Sequence, residues 1–191
     1  MIIRPLLGVA SSLAALTVLA TFTGCAGSAG GDAPRAAAAA APAAGPVAVA
    51  QLEPTRGNTT AGTATFRQQG DRVRLQVRVE GLKPGQEHGF HIHEKGDCGS
   101  GDGMSTGGHF NPASKPHGRH DAGERHAGDL PSLKADANGR VEASFELSGL
   151  AIGSGAADIV GRGLIVHAQP DDYTTQPTGN AGARIACGVI R

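Results

Sequence analysis

The stretch Arg72-Val-Arg-Leu-Gln-Val-Arg-Val-Glu80 alternates apolar and polar residues without a break, and this period of two constrains the fold more than any other feature. Successive side chains of an extended backbone point to opposite faces, so Val73, Leu75, Val77 and Val79 share one face and the charges the other. Such a segment is a half-buried strand, and it belongs in an antiparallel sheet with one face on a core and one in water. Val141-Glu-Ala-Ser-Phe-Glu-Leu147 repeats the pattern. Gln69-Gly70-Asp71 predicts a hairpin between Gly62–Gln68 and Arg72–Glu80, and Asn138-Gly139 predicts a second tight turn. Val47–Leu52, Glu87–Glu94, Leu130–Asp136, Gly163–Ala168 and Ala183–Ile190 bring the expected strands to about eight. No helix-period segment offers a crossover, so residues 47–191 are expected to form an all-β, eight-stranded antiparallel Greek-key barrel or sandwich. The 30 glycines and 11 prolines fit short strands joined by turns and long loops.

The first 46 residues have a different composition. Residues 1–24 read as an export signal, with Arg4 in a positive n-region and an apolar stretch from Leu6 to Phe22. The stretch is short for a bilayer and is interrupted by small and hydroxyl residues, which argues against a retained transmembrane anchor. Phe22-Thr23-Gly24-Cys25 resembles a bacterial lipoprotein box, in which Cys25 would be acylated and become the mature N-terminus. Ordinary secretory cleavage near Ala26, with Cys25 discarded, is the alternative. Residues 25–46 are mainly Ala, Gly and Pro and are expected to form a tether holding the domain away from a membrane. A stable membrane anchor at Cys25 would need more than one acyl chain.

Lys+Arg 17 against Asp+Glu 17 leaves no net charge, and Phe 5, Tyr 1 and Trp 0 leave few rings for stacking on bases. A nucleic-acid partner is therefore not expected.

Lys95 to Gly128 breaks the strand rhythm with a long loop rich in Gly, His, Asp and Pro, and loops of this length usually have a function. Of the eight histidines, all but His167 lie between His88 and His126. In Phe90-His91-Ile92-His93, parity sends Phe90 and Ile92 to the core and both histidines to the outer face, where the two imidazoles can meet one ion. By the same parity His88 points inward as a buried, hydrogen-bonded structural histidine. His109 follows Gly107-Gly108, and His117, His126 and Asp129 come 8, 9 and 3 residues later in turn. Three imidazoles and a carboxylate are a natural tetrahedral set for zinc, and a closed set of four is structural rather than hydrolytic. His167 faces outward from its own strand, and His120, in a Gly/Arg/Asp-rich turn, is expected to be solvated.

His91-Ile-His93-Glu, Gly108-His109-Phe-Asn-Pro112, Arg125-His126-Ala-Gly-Asp129-Leu and Gly179-Asn-Ala-Gly-Ala-Arg184-Ile-Ala-Cys187-Gly-Val-Ile resemble the copper/zinc superoxide dismutase family, in family order from about Val47 to Arg191. The resemblance implies copper ligation by His91, His93, His109 and His167. It implies zinc ligation by His109, His117, His126 and Asp129, with His109 as a bridging imidazolate. Asp171 would link copper and zinc ligands through their outer nitrogens, and Arg184 would guide the superoxide anion. Cys98 and Cys187 would form a disulfide, and Gly179 to Gly182 would let the last loop fold over the site. The implied activity is disproportionation of superoxide to dioxygen and hydrogen peroxide in the cell envelope, on the periplasmic or exterior side of a membrane. The family also allows a homodimer.

Asp171 to Gly182 contains no lysine, unlike the guiding loop of many eukaryotic relatives, so steering is expected either to come from Lys95, Lys115 or Arg119 or to be weak. An exported copper/zinc-binding protein without turnover is the main rival reading. It would have no need of a bridging histidine or of Arg184. Zinc hydrolysis would need an open ligand position and a general base, and the surplus of histidines argues for two metals instead.

Overall fold

The computed structural model describes residues 45–191, so the expected export signal, Cys25 and nearly all of the expected tether lie outside the described residues. The chain builds β1 (Val47–Pro54), β2 (Ala61–Gln69), β3 (Arg72–Glu80), β4 (Glu87–His88) and β5 (Phe90–His93). It continues with β6 (Leu133–Lys134), β7 (Val141–Ser148), β8 (Gly163–His167) and β9 (Arg184–Val189). A 3-10 turn at Met104–Thr106 is the one helical element among the described residues.

Seven strands form one sheet in the order β5-β8-β9-β1-β2-β3-β7, and β4 pairs with β6. Every ladder between named strands is antiparallel. The non-sequential neighbours β3–β7, β1–β9 and β5–β8 are crossovers of Greek-key type. The sheet curls so that inward residues of distant strands meet in one core. Leu52, Phe66, Leu75, Phe90, Ile92, Leu164 and Val166 are all 0% exposed there. Each such side chain contributes about 1.5–3 kcal/mol of burial. The all-β architecture expected from the alternation is therefore found, and β3 keeps a strict exposed–buried rhythm along its length.

Two segments differ from expectation in detail. Glu87–Glu94 is not one strand but breaks at Gly89 into β4 and β5. Gly89 leaves the ladder to donate to the Gln169 carbonyl at 2.9 Å and accept from the His167 nitrogen at 2.8 Å. A Cβ there would lie 2.7 Å from that of Ala181, which is why the break falls on a glycine. Leu130–Asp136 contracts to the two residues of β6.

Alternation also fails to describe exposure on β5 and β8, where every residue is buried. Their outward side chains point away from the core but are roofed by the connections 94–132 and 168–183. Cys98 lies in the first connection and is bonded to Cys187 on β9, with a Cα–Cα distance of 5.9 Å and a sequence separation of 89. The chain-entropy model values closure of such a loop at about 4–5 kcal/mol. Replacing Cys98 with Ser in the metal-free protein is expected to cost about that much stability, read as a lowered urea midpoint with an unchanged β-rich far-UV spectrum. An unchanged midpoint would contradict it.

Candidate metal centre

The site is assembled along the outer edge of β5. Phe110 donates to the Ile92 carbonyl at 2.8 Å, Ile92 donates to Gly128 at 2.9 Å, and Glu94 donates to Gly108 at 3.0 Å. These bonds form isolated bridges that set His109 opposite His93 and Asp129 opposite His91. His167 arrives at the end of β8, where the register with β9 shifts between Val166 and His167. Such an irregularity re-aims a side chain.

Two clusters result, His91/His93/His109/His167 and His109/His117/His126/Asp129, and within each the candidate ligand atoms lie within 4.8 Å of one another. All seven residues are buried, none more than 6% exposed. His109 belongs to both clusters.

The hydrogen bonds on the far side of each ring define its tautomer. His93 Nδ1 donates to the Gly107 carbonyl at 2.9 Å and His167 Nδ1 to the Gly182 carbonyl at 3.1 Å. A carbonyl can only accept, so the opposite Nε2 atoms carry lone pairs. His91 Nε2 donates to Asp171 Oδ2 at 2.7 Å, which leaves the lone pair on Nδ1. Those three atoms and His109 Nε2 are buried without any hydrogen-bond partner among the described residues. Burying a polar atom unpaired costs about 1–3 kcal/mol. Four such lone pairs converging within one cluster fit a nitrogen-ligated cation such as copper.

The second cluster surrounds one carboxylate. His109 Nδ1 lies 2.8 Å from Asp129 Oδ1, His117 Nδ1 3.0 Å and His126 Nδ1 3.3 Å. The His117 approach misses the hydrogen-bond axis, and that nitrogen is otherwise unpartnered. Asp129 Oδ2 is turned away, accepting from the Gly118 and His126 main-chain nitrogens at 3.1 and 2.9 Å. Three imidazole nitrogens and one carboxylate oxygen are the donor set of a closed tetrahedral zinc site.

Asp171 connects the clusters. Its Oδ2 accepts from His91, and its Oδ1 accepts from His117 Nε2 at 2.9 Å and from the Tyr173 main-chain nitrogen at 2.7 Å. Gly179, at φ +68°, leaves room for this link, because a Cβ there would sit 1.9 Å from Asp171 Oδ1.

The electrostatics suit metal ions. Burial, helped by the neighbouring imidazoles and opposed by the Asp129 contacts, brings His109 down to about 4. Burial and His91 bring His167 to about 3. Burial, then the charges of His109 and Arg184, hold His93 well below its ordinary value. These rings are neutral at physiological pH, the form that ligates. Burial opposes ionisation of Asp129 and Asp171, but the histidine hydrogen bonds override it and keep both as carboxylates. Burial also opposes the charge on His117, but Asp129 and Asp171 raise it to about 9 in the metal-free protein.

Arg184 is half-buried and pinned to the turn 103–107. Its Nη1 donates to the Gly103 carbonyl at 2.7 Å and to Thr106 Oγ1 at 2.8 Å, and its Nη2 donates to the Gly107 carbonyl at 2.7 Å. Three of the guanidinium's five N–H donors are thus used, leaving two. His88 is buried, with Nδ1 donating to the His167 carbonyl at 2.8 Å, which is the structural role expected of it. His120 joins neither cluster, and it is half-buried rather than solvated, because Arg125 Nε folds over to bond its carbonyl. Thr106, Gln176 and the carbonyls of Gly107 and Gly182 went unpredicted. Main-chain acceptors leave no mark in a sequence, and Thr106 and Gln176 carry no spacing signal.

Residues 60–190 match the family model described as copper/zinc superoxide dismutase. The chain is 42% identical over 135 residues to "Superoxide dismutase [Cu-Zn]" of Paramecium bursaria Chlorella virus 1, covering 68% of this chain and 71% of the relative. It is 44% identical over 137 residues to "Extracellular superoxide dismutase [Cu-Zn]" of Drosophila melanogaster, covering 68% and 74%. Among solved structures, the clock protein EA4 superposes with a TM-score of 0.69 at 41% identity, covering 75% of this chain and 92% of that one. A SOD-like protein from Bacillus subtilis superposes with a TM-score of 0.67 at 37% identity, covering 74% and 96%. The chain therefore belongs to the copper/zinc superoxide dismutase family, and it is an oxidoreductase with copper and zinc as its cofactors.

Proposed function

We propose that the two clusters form one bimetallic centre. Copper is held by His91, His93, His109 and His167, and zinc by His109, His117, His126 and Asp129. The observation that carries this reading is the membership of His109 in both clusters, with Nε2 turned to the first and Nδ1 to Asp129 of the second. When bound, copper would supply a one-electron couple, so that one superoxide is oxidised to dioxygen and a second, taking up two protons, is reduced to hydrogen peroxide; zinc would have no redox role.

The chain's own residues supply the rest. Arg184 stays charged and keeps two N–H donors for a small anion, while its other donors fix it to Gly103, Thr106 and Gly107. His109 Nε2 has no other hydrogen-bond partner, so whenever it is not ligating copper this atom could hold a proton and pass it to the reduced substrate. Asp171 fixes the tautomers of His91 and His117 together, so a change in one ring is felt by the other. The connections over β5 and β8 restrict access to small species. Steering by lysines near the last loop is not available, and Lys115 donates instead to the Gly123 carbonyl at 3.0 Å.

Residues 1–24 are proposed to direct export and Cys25 to carry a lipid anchor. The domain from residue 47 would then face the periplasm or the exterior and protect the cell envelope from superoxide. The disulfide is consistent with an exported protein. A homodimer is compatible with this reading.

In the copper- and zinc-loaded protein, Arg184→Ala is expected to lower superoxide disproportionation by about 10- to 100-fold, the loss of a charge-assisted contact. Pulse radiolysis would measure it, with metal content unchanged. Loaded protein that binds both metals yet barely turns over superoxide would overturn the dismutase reading in favour of an exported metal-binding protein.

The metal-free protein has its own pH signature. His109 and His167 titrate at about 4 and about 3 in the fold, against 6.5 for an unperturbed histidine, so on acidification the unfolded chain takes up protons first. Their contribution is complete above pH 6.5 and is lost as the pH falls below it. His117, raised to about 9, contributes fully below pH 6.5 and loses its contribution as the pH rises through 9. Thermal unfolding of the metal-free protein is expected to show its highest midpoint near neutrality with a steeper fall on the acid side. A midpoint that is flat between pH 4 and 7 would contradict the burial argument.

A further inference from the structure

Gln176 is an exposed residue in the connection between β8 and β9, yet both ends of its amide are committed to one buried partner. Its Oε1 accepts from the His117 main-chain nitrogen at 2.8 Å, and its Nε2 donates to the His117 carbonyl at 2.9 Å. The amide imitates the peptide edge of a neighbouring strand. The Thr174 carbonyl lies near the same Nε2 at 3.4 Å and steadies it.

His117 has no other support of this kind. It sits in a stretch without a named strand, between Pro116 and Gly118, and its main-chain nitrogen and oxygen make no other hydrogen bond among the described residues. Its ring is among the most demanding in the site, with Nδ1 3.0 Å from Asp129 and Nε2 bonded to Asp171. Ring and backbone are thus fixed by different residues, the ring by Asp171 and the main chain by Gln176. Asp171 and Gln176 both lie in the connection after β8, so that one connection grips His117 at both ends.

We propose that Gln176 is a positioning residue for zinc, holding the His117 main chain so that Nδ1 stands at the ligand position before the ion arrives. The proposal rests on the assignment of zinc to His109, His117, His126 and Asp129. Without the amide, the ion would have to order the segment around His117 as it binds, and affinity would fall. Loss of an outer contact to a metal ligand typically costs 10- to 100-fold in affinity.

The test uses the full chain in four versions: wild type, Gln176→Ala, Gln176→Glu and a His117→Ala reference. Zinc affinity is read by competition with a chromophoric chelator, copper affinity in the same way, and ligand geometry by the visible spectrum of cobalt(II) in place of zinc. Gln176→Ala is expected to weaken zinc at least tenfold, to alter the cobalt spectrum, and to leave copper affinity within about twofold. Gln176→Glu keeps the acceptor for the His117 nitrogen but sets an oxygen against its carbonyl, so its zinc affinity is expected between those of wild type and Gln176→Ala. Because residue 176 is exposed, both variants should fold. If the Ala variant does not, the Glu variant carries the same comparison.

Zinc affinity and a cobalt spectrum identical to wild type in the Gln176 variants would overturn the role of Gln176. So would an equal weakening of zinc and copper accompanied by a lower unfolding midpoint of the metal-free protein. If His117→Ala itself binds zinc as wild type does, the zinc assignment fails, and the proposal with it.

Discussion

The site depends on the way the chain satisfies the outer edge of β5. An edge strand presents main-chain donors and acceptors that must find partners. Here the partners come from Gly108, Phe110 and Gly128 rather than from another long strand. Because a β-bridge fixes register residue by residue, these bonds also fix which side chains face each other. They place His109 beside His93 and Asp129 beside His91. The same hydrogen bonds that complete the sheet therefore bring together residues up to 38 positions apart, His91 and Asp129, and build the shared edge of the two clusters.

Within that frame, the chemistry is set by what lies behind each imidazole. Gly107, Gly182 and Asp171 take the outward N–H of His93, His167 and His91, and by doing so they direct a lone pair inward. The arrangement is unfavourable without a cation, since buried lone pairs converge and have no donor. Asp129 and Asp171 supply the negative charge near the second cluster, and one of them is shared between both. Binding energy and structural order are therefore linked, as in other proteins whose ligand sites contain unpaired buried donors before the metal arrives.

The sequence was most informative where physics repeats with a short period. The alternation of Val73, Leu75, Val77 and Val79 needs no tertiary knowledge to read, and all four are buried as expected. The histidines and Asp129 were legible as chemistry because of their number, order and flanking glycines, and the family motifs extended that reading to His167, Asp171 and Arg184. Parity correctly separated Phe90 and Ile92 from His91 and His93, but it missed that the outward rings would be covered by loops. The break at Gly89 was invisible because it depends on the Gln169 carbonyl and the Ala181 side chain, both far along the chain. The attachment of Arg184 to Gly103, Thr106 and Gly107 depends on a loop conformation with no periodic pattern, as does the grip of Gln176 on His117.

The bond between Cys98 and Cys187 has a consequence for how the protein withstands proteolysis. It encloses nearly the whole second half of the domain, including β5's covering loop, all three histidines of the second cluster and Arg184. A protease that cuts once anywhere between these cysteines severs the backbone but not the molecule. The two pieces stay covalently joined, with β1 to β5 on one and β9 on the other still hydrogen-bonded through β1. A nick in an exposed loop is therefore a survivable injury, and separation of the fragments requires a reductant as well as a protease.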